Sequence, residues 1–148
     1  MEKRVSSSAL ADSGNKVDTS RLRAFELFAG LEETQLADIA QNFVPTAAPA
    51  GAVIIQQGQV GKEVYLLEEG SVRVYRGETG TDGFLIDLQA PTLFGETALL
   101  DPERIRTASV KALSDVRMLT IQISAFLSIL LSFPSVKENL RQMIASRR

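Results

Sequence analysis

The sequence predicts a mainly β protein of the α+β class: an antiparallel jelly-roll, or double-stranded β-helix, flanked by helices at both ends. Three observations carry this. Short β-rich runs follow one another closely, at 53–56, 64–67, 72–75 and 84–88, and then at 107–112 and 116–121. Glycines at 58, 61, 70, 77, 80 and 83 fall between the first four runs and no long helical pattern intervenes, as in an antiparallel sandwich or barrel. Helical periodicity is confined to the two ends of the chain.

Residues 1–19 are mostly small or polar and contain no aromatic residue, so they cannot bury enough apolar area to offset their ordering entropy and read as a mobile tail. Asp18, Thr19 and Ser20 are all candidate helix N-caps. Leu22, Phe25, Leu27 and Phe28 fall within two helical turns, Gly30 interrupts, and Leu31, Leu36, Ile39, Ala40 and Phe43 resume the stripe, which predicts helices over 20–43. From Val44 the pattern changes, with Pro45, Pro49 and Gly51 punctuating the entry to a β-roll over 44–123. Ser124 is the predicted cap of a helix bearing Phe126, Leu127, Leu130 and Leu131 on one face. Pro134 suits the first turn of another, with Val136, Leu140, Met143 and Ile144 on one side, so helices close the chain over 124–148. No internal repeat is visible, and 20–148 reads as one domain.

Composition narrows the chemistry. The chain has 148 residues, 45% of them hydrophobic and 23% charged, as in ordinary globular proteins. A net charge of −2 gives no basic field to attract nucleic acid or anionic lipid. The longest near-apolar run, 121–133, is broken by Gln122 and three serines and is too short to span a bilayer. The opening MEKRVSSSALADSG lacks the apolar stretch of a secretory signal. The expectation is a cytoplasmic protein with no nucleic-acid or membrane partner. The chain has no Cys and no His. Disulfides, thiolate nucleophiles, zinc fingers, His general bases, Ser-His-Asp triads and His-ligated haem are thereby excluded. Binding is favoured over catalysis, with no catalytic residue, metal site or cofactor assigned.

The informative segment is 93–110, LFGETALLDPERIRTASV. Gly95 is followed by a carboxylate, Glu96, and a short helical stretch over 97–100. Arg106 stands ten positions after Glu96 and leads Thr-Ala-Ser-Val into a strand. Backbone N–H groups at a helical start favour an anion, and Gly95 permits close approach. Arg106 offers planar donors to a phosphate. Glu96 would repel that phosphate unless it accepted hydrogen bonds from hydroxyls, and a ribose supplies one. Phosphate and sugar hydroxyl together describe a nucleotide.

FGETALL followed by RTASV resembles the phosphate-binding cassette of the cyclic nucleotide-binding domain family, which includes catabolite activators, regulatory subunits of cyclic-nucleotide-dependent kinases and cyclic-nucleotide-gated channels. Gly58, Gly61, Tyr65, Gly70 and Val72 also stand where that family has its glycines and apolar positions, and the resemblance extends over about 22–148. It implies that Gly95 and Glu96 meet the ribose 2′-hydroxyl and that Arg106 pairs with the exocyclic phosphate oxygens. The Ala98 N–H and Thr107 complete the cradle, with Phe94, Thr97 and Ala108 as neighbours in the site. Arg104 rivals Arg106, but Arg106 alone directly precedes the Thr-Ala-Ser-Val strand. Leu140, Met143 and Ile144 are read evenly as plain packing or as a lid or dimer seam; Arg147 and Arg148 simply suit a helix C-terminus.

The function expected is a sensor module for cyclic AMP or cyclic GMP, without an output domain of its own, whose last helix meets a protein partner or a second copy. Thr107 is compatible with either nucleotide. The alternative is a structural interaction domain with the same fold and little nucleotide affinity. A site for another anionic metabolite would use Arg106 but leave Glu96 unexplained.

Overall fold

The computed structural model describes residues 17–77 and 83–147. Helix α1, Thr19–Arg23, starts at Asp18, whose carboxylate accepts the Ser20 N–H at 3.0 Å. Val17 is buried in the helical core, so ordered packing begins inside the segment assigned to a tail; residues 1–16 of that assignment lie outside the described residues. The first apolar stripe divides into α1 and a 3-10 turn, Glu26–Phe28, and Gly30 at φ 92° redirects the chain into α2, Glu33–Ala40. Gln35 reaches back to accept the Glu32 N–H at 2.8 Å and closes that helix start.

Eight strands follow: β1 Val44–Ala48, β2 Val53–Ile55, β3 Glu63–Glu69, β4 Ser71–Arg76, β5 Gly83–Gln89, β6 Thr92–Phe94, β7 Ser109–Ala112 and β8 Val116–Gln122. They form two antiparallel four-stranded sheets, ordered β1-β8-β3-β6 and β2-β7-β4-β5, the jelly-roll that the sequence predicts. Two strands escape the sequence pattern. β1 carries Pro45, which is tolerated because β1 is the edge of its sheet and pairs with β8 alone. β6 has only three residues, too few to show alternation, and is fixed by pairing with β3. The strand expected from Thr107 begins at Ser109, because residues before it pair with the turn between β2 and β3.

The first sheet is buried on both faces, and strand alternation divides its side chains. Val64 and Leu66 of β3, with Leu119 and Ile121 of β8, face a core shared with the helices. Tyr65 and Leu67, with Val116 and Met118, face the interior of the roll. The second sheet supplies Ile55, Val72, Leu88, Val110 and Ala112 to that interior. Helix α3, Ile123–Ser132, follows β8 without a loop, so Gln122 rather than Ser124 occupies the N-cap position. Helix α4, Pro134–Ala145, lies across the Glu26–Phe28 turn, where the Asn139 amide donates to the carbonyls of Leu27 at 3.1 Å and Ala29 at 3.3 Å. Among the described residues, no helix is long and apolar enough to cross a membrane.

Candidate functional site

The site is assembled where the turn between β2 and β3 meets the segment between β6 and β7. The two are stitched along the backbone. The Gly58 N–H donates to Arg106 O at 2.9 Å, the Arg106 N–H to Gln59 O at 2.8 Å, and the Gly61 N–H to Arg104 O at 2.7 Å. This fixes Arg106 at both its N–H and its carbonyl. Its guanidinium lies against Gly61, where an added Cβ would stand 2.6 Å from Cζ and Nε. Nη1 donates to Gly95 O and Nη2 to Glu63 O, both at 2.8 Å. Gly95, at φ 88°, heads the 3-10 turn Glu96–Leu100. That left-handed backbone explains the glycine: it lets β6 break into the turn while its carbonyl caps the arginine. Beneath them Tyr65 and Phe94 stack with ring centroids 5.0 Å apart and nearly parallel planes.

Arg104, the rival, has φ 63° and spends its Nη1 on carbonyls of its own loop, Leu99 at 3.1 Å and Asp101 at 3.0 Å. Asp101 holds that loop by accepting the N–H groups of Glu103 and Ile105. Of the two arginines, the structure places Arg106 in the cavity wall.

Glu96 is 5% exposed. Its Oε2 faces Nη1 of Arg147 at 3.3 Å, and its Oε1 is buried with no hydrogen-bond partner among the described residues. Arg147 donates through Nη2 to the Thr92 hydroxyl at 3.0 Å and to the Leu93 carbonyl as well. The expectation for Arg147 is therefore corrected: instead of merely suiting a helix end, it returns to the roll and pairs with the site carboxylate. Nothing in the local sequence marks this, since the contact spans 51 positions of chain.

These groups line one cavity of about 270 Å³, close to the lower end of the range for small-molecule sites, about 300–1,000 Å³. Phe94, Gly95, Glu96, Thr97, Arg106, Thr107 and Ala108 all contribute. Ala98 is fully buried in the helical core, so only its backbone is available to the site. The opposite wall is apolar, made by Val74, Leu85, Ile86 and Leu88. Leu85 and Ile86 lie in a run, 84–88, that the sequence marks only as β-rich. Of the lid candidates, Ile144 lines the cavity. Leu140 is buried in the helical core and Met143 packs against it. The stripe explains the division: its earlier turns rest on the helices, while Ile144 near the helix end and Arg147 just past it reach the roll. A larger cavity, about 330 Å³, opens on the other side of Arg106 among Gln56, Gln59, Lys62 and Gln122. It includes neither Gly95 nor Glu96, whereas the smaller one gathers an arginine, a carboxylate, a helical start and an apolar wall. That combination accommodates an anion, a hydroxyl and a flat apolar body side by side.

Comparison with known proteins agrees with this fold. The family model described as the cyclic nucleotide-binding domain matches residues 45–133. A cyclic nucleotide-gated potassium channel of Rhizobium etli is 33% identical over 125 residues, which cover 84% of this chain and 34% of the channel. The cyclic AMP receptor protein of Thermus thermophilus is 32% identical over 127 residues, covering 85% of this chain and 58% of the receptor. This chain thus spans less than two thirds of the length of either. Among solved structures, the catabolite activator protein of Thermus thermophilus shares the fold with a TM-score of 0.69 and 33% identity, over 83% of this chain and 58% of that one. The regulatory domain of Toxoplasma gondii PKA, crystallised with cAMP, has a TM-score of 0.74 over 93% of this chain and 52% of its own; at 23% identity it speaks for the fold alone. With the profile matched over more than half its length on a jelly-roll, this chain belongs to the cyclic nucleotide-binding domain family.

Proposed function

We propose that this chain is a regulatory module that takes cyclic AMP or cyclic GMP into the cavity beside Arg106 and Glu96 and passes its occupancy on through α4. The observation that carries this is the placement of Arg106 and Glu96 in the wall of one cavity that also has an apolar face. Arg106 and the first N–H groups of the 3-10 turn would take the cyclic phosphate, and Glu96 the ribose 2′-hydroxyl. The base would lie along Leu85, Ile86 and Val74, with Thr107 at the exposed rim and Ile144 at the mouth. The work done by the chain is recognition: bonds to the ligand form and release without covalent change, and no further cofactor or metal is invoked. The output is a change in how α4 is presented to a protein partner or a second copy, which requires the ligand to bind one arrangement of α4 better than the other. The two relatives described above carry this unit inside longer chains, so no stand-alone role is built into this reading.

Calorimetric titration with cyclic AMP, cyclic GMP and their 5′-monophosphates tests it, after assaying the purified protein for nucleotide carried over from the expression host. Saturable binding of a cyclic nucleotide with clear preference over its 5′-monophosphate is expected. A nucleotide-free, folded protein that binds neither cyclic nucleotide would leave the interaction-domain alternative standing instead.

A further inference from the structure

Two cavities meet at Arg106. Ile55 and the arginine line both, and the one behind the guanidinium is the larger, at about 330 Å³. Its rim is drawn from the turn after β2, the start of β3 and the end of β8, and the backbone there is fixed. The Gln59 N–H donates to Gln56 O at 3.3 Å, and Gln59 O accepts the Arg106 N–H at 2.8 Å. Lys62 O accepts the N–H of Ile123 at 2.9 Å, beside Gln122 at the end of β8. The side chains on this fixed rim are not engaged in the same way. Among the described residues, the carboxamides of Gln56, Gln59 and Gln122 and the ammonium of Lys62 form no hydrogen bond or ion pair. The Glu63 carboxylate, in contrast, accepts the Tyr65 hydroxyl at 3.1 Å.

The chemistry of the lining selects its ligand. Lys62 and Arg106 outweigh Glu63 in charge, which favours an anion. An ammonium and several carboxamides bring more N–H donors than the two oxygens of a carboxylate can use, whereas a phosphate monoester offers three terminal oxygens and close to two charges. The volume lies in the range of small-molecule sites, about 300–1,000 Å³, and Ile54 with Val60, the latter 57% exposed, gives a carbon skeleton an apolar edge to rest on. We propose that this cavity is a second ligand site, for a small phosphomonoester, and that its occupancy weakens cyclic nucleotide binding on the opposite side of Arg106; the second half rests on the reading above. With an anion on one side the guanidinium is partly neutralised, so a second anion on the other side meets a weaker cation and a like charge. The coupling is reciprocal, and cyclic nucleotide opposes the phosphomonoester to the same extent. Because the two ligands occupy separate cavities, the opposition is partial and reaches a limit once the second cavity is full.

The test titrates glycerol 3-phosphate, inorganic phosphate and glycerol calorimetrically into the wild type, Lys62→Gln and Gln122→Ala. Cyclic AMP is then titrated at rising glycerol 3-phosphate, against sodium chloride of equal ionic strength. The wild type should bind glycerol 3-phosphate and not glycerol. Lys62→Gln should lose roughly tenfold in that affinity, the worth of one charged hydrogen bond, and Gln122→Ala less. Saturating glycerol 3-phosphate should lower the wild type's cyclic AMP affinity about fivefold and then no further, the size of a modest coupling between sites. In Lys62→Gln the same concentrations should have little effect. Tighter binding of inorganic phosphate than of the ester would overturn the assignment to an organic phosphate. Competition that grows without limit and survives Lys62→Gln would put the phosphate beside Glu96 and overturn the second site, as would the absence of binding. Binding with no effect on cyclic AMP, or an equal effect from sodium chloride, overturns the coupling. Lys62-dependent binding of glycerol 3-phosphate to a folded protein that takes no cyclic nucleotide would keep the second site and overturn the nucleotide reading instead.

Discussion

Arg106 illustrates how one side chain is made specific by neighbours that have no chemistry of their own. Its charge is common to every arginine; its direction comes from the carbonyls of Gly95 and Glu63 and from the missing side chain of Gly61. If it meets the ligand phosphate in this partly desolvated wall, Arg106→Ala should weaken cyclic nucleotide binding by roughly 2–5 kcal/mol. Arg104→Ala, whose guanidinium serves its own loop, should change affinity little. Calorimetry on both variants decides it, and a larger loss from Arg104 would place the phosphate elsewhere. Gly61→Ala is a subtler probe. The new methyl would meet the end of a flexible side chain rather than backbone, so the fold should accommodate it by displacing the guanidinium. Affinity should then fall by about 1.5 kcal/mol or more, the worth of a charged hydrogen bond, while the melting temperature changes little. A large drop in melting temperature at unchanged affinity would show that Gly61 serves the turn and not the arginine.

At the scale of elements, α3 and the first sheet join the roll to the helices. α3 is continuous with β8, and its Phe126 is fully buried in the core that also holds Val64, Leu66 and Leu119. Phe126→Ala should cost about 3–5 kcal/mol in urea unfolding, since it removes a large apolar side chain and leaves a cavity between layers. Because Phe126 lines neither cavity described above, affinity measured well below the unfolding transition should be nearly preserved. An equal loss of affinity and stability would mean that the roll does not hold its site without this packing. α4 is attached differently, through Asn139 as well as through Val136 and Leu140, and Arg147 just past its end bonds to β6, so its far end depends on polar bonds.

For the whole molecule, the absence of histidine shapes the response to pH. No side chain has an ordinary pKa between about 6 and 8, the interval in which histidine titrates. Among the described residues, two carboxylates are shifted downward. Asp87 is held low by the hydrogen bond from Arg73, and Glu33 by the Thr19 hydroxyl and then by Arg23. A group whose folded pKa lies below its unfolded value contributes stability that is present above the unfolded value and lost as pH falls through the folded one. The ordinary values are 3.8 for Asp87 and 4.5 for Glu33, so the loss belongs to acid below these and not to neutrality. Both groups are exposed and screened, so each contribution is small. Thermal melts should be flat from about pH 6 to pH 8 and decline on acidification, with Asp87→Asn softening the decline. A step in stability near neutrality would contradict this account.

The sequence by itself determined the architecture and the residue types that meet at the candidate site. Closely spaced β-rich runs, the glycines between them and the FGETALL and RTASV segments are local signals, because strand propensity, turn conformation and the order of donors in a loop are set by neighbouring residues. Tertiary structure decided what depends on residues far apart. It made β1 a strand despite Pro45 by placing it at an edge, and it gave Arg106 its cavity through Gly61 and Glu63. It sent Leu140 into the core and Ile144 to the cavity along one stripe, and it brought Arg147 onto Glu96. Periodicity tells which face of an element is apolar, but not which neighbour that face will meet. That is settled by sheet register and helix packing, which act between segments whose separation along the chain carries no local mark.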